Sequence, residues 1–161
     1  MRIGVLSDTH GCLDGTRAAA RALETENVEQ VIHCGDIGSA EVVALLCRWP
    51  AHFVFGNCDH DLGALERTIK ESGQTYHGAF GSLDLRGHRV AFLHGDDQRR
   101  LRESVASQQF DLVCYGHTHV AEYHFDGRTL VLNPGALFRA NPRTLAVVDL
   151  SKQTVDLVEV R

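Results

Sequence analysis

No Cys-x-x-Cys pair occurs in this chain, although Cys12, Cys34, Cys47, Cys58 and Cys114 are spread along its 161 residues. An odd, scattered set makes neither a disulfide framework nor a thiolate zinc site, so these read as reduced thiols. No apolar run approaches the roughly 18 uninterrupted residues of a membrane span. The first apolar stretch meets a carboxylate at Asp8, too early for the core of a signal peptide. These absences lead us to expect a soluble cytoplasmic protein with no membrane partner. Positive charge is also short: 16 Lys and Arg against 21 Asp and Glu give a net charge of −5, which disfavours a polymeric nucleic-acid ligand. With three prolines, no low-complexity tract, no linker and no internal repeat, there is no place to divide the chain, and residues 1–161 are expected to form a single domain. A chain of this length can bury roughly 68–70% of its unfolded surface, so it needs no metal merely to stay folded. A metal site here would serve chemistry.

What the chain does contain is alternation. Short, β-rich apolar runs at 3–6, 31–34, 53–55, 90–93 and 112–115 have the near-continuous hydrophobicity of strands buried on both faces. Between them lie helical patterns. Residues 14–27 place Ala18, Ala19, Ala22 and Leu23 on one face, and Ser39 can cap a helix carrying Val42, Val43, Leu45 and Leu46. A third helix is expected over 62–72, ending at Gly73, and a fourth from Asp96–Asp97 with Leu101 and Val105 one turn apart. Hairpins are expected about Arg86-Gly87, about Asp126-Gly127 and between 145–150 and 154–160. The mixture predicts an α/β fold of two facing β-sheets flanked by helices.

Ten histidines then become informative through their positions. Each of the five apolar runs is followed within two residues by Asp8, Asp36, Asn57, His94 or His117, and strands of an α/β sheet deliver their carboxyl ends to one edge. His10 and His119 sit two residues beyond Asp8 and His117, on the same side of the chain. Carboxylates, imidazoles and an amide without thiolates suit Mn²⁺, Fe or Zn²⁺. Seven ligands exceed the need of one ion and fit two ions roughly 3.5–4 Å apart, the arrangement of a dinuclear hydrolase.

The ordered set Asp8-Thr9-His10, Gly35-Asp36, Gly56-Asn57-Cys58-Asp59, His94-Gly95 and Gly116-His117-Thr118-His119 resembles the signature of calcineurin-like metallophosphoesterases, in particular their short bacterial and archaeal phosphodiesterases. The resemblance implies a four-layer α–β–β–α sandwich. It also implies one ion held by Asp8, His10, Asp36 and His119 and another by Asp36, Asn57, His94 and His117, with Asp36 bridging. Mn²⁺ is the expected metal, with Ni²⁺, Fe²⁺, Zn²⁺ and Mg²⁺ as alternatives. The implied activity is hydrolysis of small phosphodiesters by a metal-bridging hydroxide, with Asp36, Asn57, Cys58, Asp59 and His94 as the catalytic candidates. Two departures narrow it. Cys58 stands where the wider superfamily has a histidine able to protonate the leaving oxygen, leaving Asp59, His60 or metal-bound water to assist. Ile37-Gly38-Ser39 replaces the Asp-Arg-Gly continuation of the protein phosphatases.

Blander roles compete. Asp59 can be a carboxylate orienting the site or a turn residue, and Cys58 is read as lining the site. Cys12, Cys34, Cys47 and Cys114 are read as small core residues, and His33 as a hydrogen-bonded core histidine. His52, His60, His77, His88 and His124 are assigned to the surface or rim. Asn133-Pro134-Gly135 suffices as a chain reversal, and Arg99, Arg100 and Arg102 as a solvated helix face. Two other functions stay open: phosphomonoester or nucleotide hydrolysis by the same centre, and a metal-bound protein-interaction scaffold resembling the retromer subunit of this fold. Homo-oligomerisation is likewise open.

Overall fold

The computed structural model covers residues 1–161. The chain runs β1 (Arg2–Leu6), α1 (Leu13–Thr25), β2 (Gln30–His33), α2 (Ala40–Leu46), β3 (Ala51–Phe53), α3 (Leu62–Glu71), β4 (Thr75–Tyr76), β5 (Phe80–Leu85), β6 (His88–Leu93), α4 (Gln98–Ala106), β7 (Leu112–Cys114), β8 (Ala121–Asp126), β9 (Thr129–Pro134), β10 (Arg143–Asp149) and β11 (Thr154–Val160). One sheet has the order β11-β10-β1-β2-β3-β4 and the other β5-β6-β7-β9-β8. Strands β1 to β4 are mutually parallel, as are β6, β7 and β9, while β5, β8, β10 and β11 close the hairpins antiparallel.

The alternation of side chains explains why four layers form. Along β6, Val90 and Phe92 turn toward the first sheet whereas Ala91 and Leu93 turn toward α4; along β7, Leu112 and Cys114 oppose Val113 and Tyr115 in the same way. Ile3, Val5, Ile32 and Val54 supply the other half of the inter-sheet core. On the far side of the first sheet, Leu6, Val31 and Phe53 meet Ala19, Leu23, Val43, Leu46 and Ile69 of the first three helices. The inner strands of each sheet are therefore covered on both faces, which is why they are apolar almost without a break, whereas the edge strands β8 and β11 are largely exposed.

Some details differ from the sequence reading. The third strand pairs over Ala51–Phe53 rather than 53–55, although Val54 and Phe55 continue it as buried chain. Its neighbour β4, two residues long, has too little sequence to announce itself. Asp61 and Asp97 accept hydrogen bonds from Ala64 N and Arg100 N as helix caps, but Ser39 occupies the cap position without a side-chain bond. Cys47 is half-buried, its thiol donating to the Val43 carbonyl, rather than a core residue. His52 and His77 are not rim residues: they are half-buried and hydrogen-bonded to each other, Nδ1 to Nε2, at 3.1 Å across β3 and the residue after β4. Burial holds both below the ordinary imidazole pKa, His52 at about 4.

His33 is the buried histidine expected. Gly35 N donates to its Nδ1 at 3.2 Å, and its Nε2 lies 2.9 Å from Thr9 Oγ1, whose hydroxyl donates to the Ile37 carbonyl. This network fixes the neutral Nε2–H tautomer. A second proton, on Nδ1, would face the Gly35 N–H, and burial, reinforced by His94, lowers the pKa to about 3. In the unfolded chain the group titrates near 6.5, so stability should fall as pH drops from about 6.5 toward 3, by an amount of the order of 5 kcal/mol in all. NMR titration of metal-free protein should find the His33 ring neutral down to at least about pH 4.5; a His33 titration near 6.5 would refute this placement.

Candidate metal centre

Five loops meet at the carboxyl ends of β1, β2, β3, β6 and β7. Backbone hydrogen bonds sew them together: Asp8 N to the Gly35 carbonyl, His10 N to the Asp36 carbonyl and Gly116 N to the His94 carbonyl. Asp8, Asp36 and His94 lie together fully buried, with ligand atoms within 4.8 Å of one another. His10 and His119 join Asp8 in a second such group, and His10, Asp36 and Cys58 form a third. Asp36 Oδ2 is 3.3 Å from His94 Nε2 and 3.5 Å from His10 Nε2, while Asp8 Oδ1 is 3.2 Å from His119 Nε2.

The surrounding protein saturates the other side of each group. His94 Nδ1 is 2.9 Å from the Cys34 carbonyl, which makes Nδ1 the protonated nitrogen and leaves the Nε2 lone pair facing Asp36 Oδ2 and, at 3.0 Å, Asn57 Oδ1. Asp36 Oδ1 accepts from Cys58 N at 2.8 Å and Asp8 Oδ2 from His117 N at 3.0 Å. Acceptors and lone pairs thus converge without a proton between them, and Asp8 Oδ1 and His10 Nε2 are buried without any hydrogen-bond partner. A bound cation resolves both features. Without one, a proton is drawn in: burial opposes charge on His94, yet Asp36 and the Cys34 carbonyl raise its pKa. Burial likewise works to raise Asp36, but His94, the Cys58 N–H and His10 outweigh it and hold the carboxyl at about 2.

Of the seven expected ligands, Asp8, His10, Asp36, His94 and His119 converge through their own ligand atoms, and Asn57 joins through His94. His117 does not. Its ring is exposed and stands 5.1 Å from that of His94, and only its backbone N–H engages a ligand. Cys58 lines the cluster, where burial and the charge of Asp36 push its thiol pKa up. Asp59 touches no ligand side chain. Its buried carboxylate accepts from Gly38 N and Gly56 N, both at 2.9 Å, and so clamps the loops after β2 and β3 together. Cys12 belongs to no ligand group, and His60 is exposed without a side-chain hydrogen bond. Arg99 pairs with Glu103 and Arg100 covers the Phe80 ring, as a solvated helix face would.

Sequence reasoning undervalued the backbone partners. Asn133 does more than reverse the chain: its amide donates to the Gly116 carbonyl at 2.9 Å and lies 3.0 Å from Thr118 Oγ1, while its oxygen accepts from Gly135 N, so it braces the loop carrying His117 and His119. Gly56 and Gly116 are required by proximity. A Cβ on Gly56 would lie 2.1 Å from Asp36 Oδ1, and one on Gly116 1.9 Å from Ser7 Oγ and 2.7 Å from Asp8 Oδ2. The signal for both was only a glycine beside a ligand-type residue. Gly56→Ala should therefore weaken Mn²⁺ binding by about 10–100-fold, whereas Gly63→Ala, where the added methyl meets nothing within 4 Å, should leave it unchanged and stabilise α3 by roughly 0.5–1 kcal/mol. Metal titration and thermal melts of the two variants check this; equal metal affinity would remove the argument for Gly56.

Known proteins resemble this chain along nearly its whole length. The sequence model of the calcineurin-like phosphoesterase superfamily domain matches residues 1–153. The phosphodiesterase MJ0936 of Methanocaldococcus jannaschii is 32% identical over 158 residues, covering 95% of each chain. The solved structure of an archaeal phosphodiesterase superposes with a TM-score of 0.92 at 30% identity over the whole of both chains. Wild-type Vps29 of Entamoeba histolytica, solved with Zn²⁺, shares the fold with a TM-score of 0.63 at 16% identity over 99% of this chain and 98% of its own.

Proposed function

The chain belongs to the calcineurin-like phosphoesterase superfamily, and on that premise we propose that it is a metal-dependent hydrolase of small phosphodiesters, acting as one unit over residues 1–161 with two divalent cations, Mn²⁺ first among them. The observation that carries the reading is the convergence of Asp36 Oδ2 with His10 Nε2 and His94 Nε2, beside Asp8 and His119, at the shared edge of two sheets. Asp8, His10, Asp36 and His119 would hold one cation, and Asp36, Asn57 and His94 the other, with His117 reaching it by a rotation of its exposed ring. When bound, the cations supply Lewis-acid stabilisation of phosphoryl charge and acidify water.

The residues do the positioning. The Cys34 carbonyl holds His94 in one tautomer, and the Cys58 N–H keeps Asp36 aimed between the two imidazoles. The Asn57 amide donates to Cys58 Sγ at 3.3 Å. With its pKa raised, the Cys58 thiol stays protonated and offers the leaving oxygen only a weak hydrogen bond. Asp59, spent on two backbone N–H groups, adds no acid. Good leaving groups are therefore favoured.

Metal-free protein supplied separately with Mn²⁺, Ni²⁺, Mg²⁺ and Zn²⁺ should turn over bis-p-nitrophenyl phosphate faster than p-nitrophenyl phosphate. A preference for the monoester, or no turnover with any metal, defeats the reading. Asp36→Asn should cost at least about 10³-fold in kcat with the circular dichroism spectrum unchanged; near-normal turnover at saturating Mn²⁺ excludes a shared bridging carboxylate.

Across a series of aryl and alkyl diesters, rates should fall steeply as leaving-group pKa rises. Cys58→His should flatten that slope by accelerating the poor leaving groups most. Parallel plots for the two proteins would place Cys58 away from the leaving oxygen.

A further inference from the structure

A cavity of about 350 Å³ shares a wall with the ligand cluster. His119 forms that wall, and Val120, Arg139, Asn141, Pro142 and Thr144 contribute to the remainder. The volume is that of a small-ligand pocket. The loop bearing Arg139 is tied to the cluster twice: Phe138 N donates to the Asp8 carbonyl at 3.1 Å, and the Phe138 ring stands 5.2 Å from the His10 ring. Arg139 follows directly, in left-handed backbone at φ 49°. Its guanidinium lies 5.0 Å from the Phe138 ring centroid and makes no ion pair or hydrogen bond within the protein. Arg2, Arg17, Arg48, Arg86, Arg99 and Arg128 each engage a carboxylate; of the eight arginines that do not, Arg139 is the one that lines this cavity. In a chain of net charge −5, a cation left unpaired at the cavity beside the cluster is available to a ligand. The Asn141 carboxamide is also unengaged and exposed, and Val120 is 58% exposed. The pocket thus offers an apolar patch, an amide and a planar double donor.

We propose that this cavity receives one ester arm of the substrate, and that Arg139 selects an arm carrying its own anionic group, a phosphate or a carboxylate. The inference rests on the diesterase reading, since a simple monoester has only one arm. A guanidinium matches either oxyanion with two parallel hydrogen bonds, and its stacking on Phe138 restricts the conformations that binding would otherwise have to quench.

The test compares thymidine 5′-(p-nitrophenyl phosphate) with the same diester bearing a 3′-phosphate, following loss of diester so that cleavage of either bond counts. Native protein should prefer the 3′-phosphorylated diester by about tenfold or more in kcat/KM, expressed mainly in KM. Arg139→Gln should bring the ratio to about 1, and Val120→Asp, a carboxylate at the exposed mouth, below 1. Calorimetry gives a readout independent of turnover: thymidine 3′,5′-bisphosphate should bind native protein about tenfold more tightly than thymidine 5′-phosphate, and Arg139→Gln should erase the difference. Equal turnover of the two diesters by native protein, or a preference that survives Arg139→Gln, overturns the role of Arg139 and leaves the diesterase reading standing. Failure to cleave either diester overturns that reading and this inference with it.

Discussion

Two buried carboxylates and three imidazoles share one small volume in this protein with too few protons to go round, and much of the architecture can be understood as holding them there. Acceptors brought together in low dielectric repel, so without a shared proton or a cation nothing in their own chemistry keeps Asp8, Asp36 and His94 adjacent. Adjacency is imposed from behind, by bonds on the far side of each group: Cys34 carbonyl to His94 Nδ1, Cys58 N–H to Asp36 Oδ1, His117 N–H to Asp8 Oδ2. Those partners are backbone atoms of neighbouring loops, so the site is as rigid as the sheet edges that carry it. The parallel arrangement of β1, β2 and β3 in one sheet and of β6 and β7 in the other brings the required loops to a common edge.

A second cost is written in the backbone. Asp8, His10, Asp36, His117 and His119 all have positive φ, between 43° and 70°. Left-handed backbone disfavours L-residues, though Asp and His tolerate it better than most. The conformation turns each side chain back over the end of its strand instead of letting it follow the chain away, and the loop-to-loop hydrogen bonds over-determine it. Gly56 and Gly116 have the complementary task of allowing backbone to pass beside Asp36 and Asp8 where no side chain fits. The strained residues thus lie on the loops after β1, β2 and β7, and the two close approaches bring the loops after β3 and β7 against the first two of them.

The layered fold was legible because strands buried on both faces leave a continuous apolar record, and the clustering of Asp8, Asp36 and His94 because three of those records end in these residues. Less was legible wherever structure depends on what lies across space. The pairing of His52 with His77 involves two residues 25 positions apart, joined by an edge strand too short to show a pattern. The sequence leaves Asp59 open between orienting the site and making a turn, and gives Asn133 only a turn, because accepting from and donating to backbone of another loop leaves no trace in their own neighbourhood. The third strand was read two residues late because burial outlasts ladder pairing: Val54 and Phe55 hydrogen-bond beyond the ladder, to His33 and Gly78. His117 is expected among the ligands from its position after a strand and from the family resemblance, and both fix which loop carries a ring but not the side-chain torsions that aim it.

The strained site is tolerable because the apolar core is built elsewhere. The inter-sheet core, the face under α1 to α3 and the smaller one under α4 are assembled from residues such as Phe53, Phe92, Leu23 and Leu132, none of which is a ligand candidate. Hydrophobic burial on that scale holds the loop ends together whether the centre between them carries a proton or a cation. A proton on His94 Nε2 and a cation at the same point would be competing answers to one electrostatic demand, so uptake of a cation there would release a proton and weaken in acid.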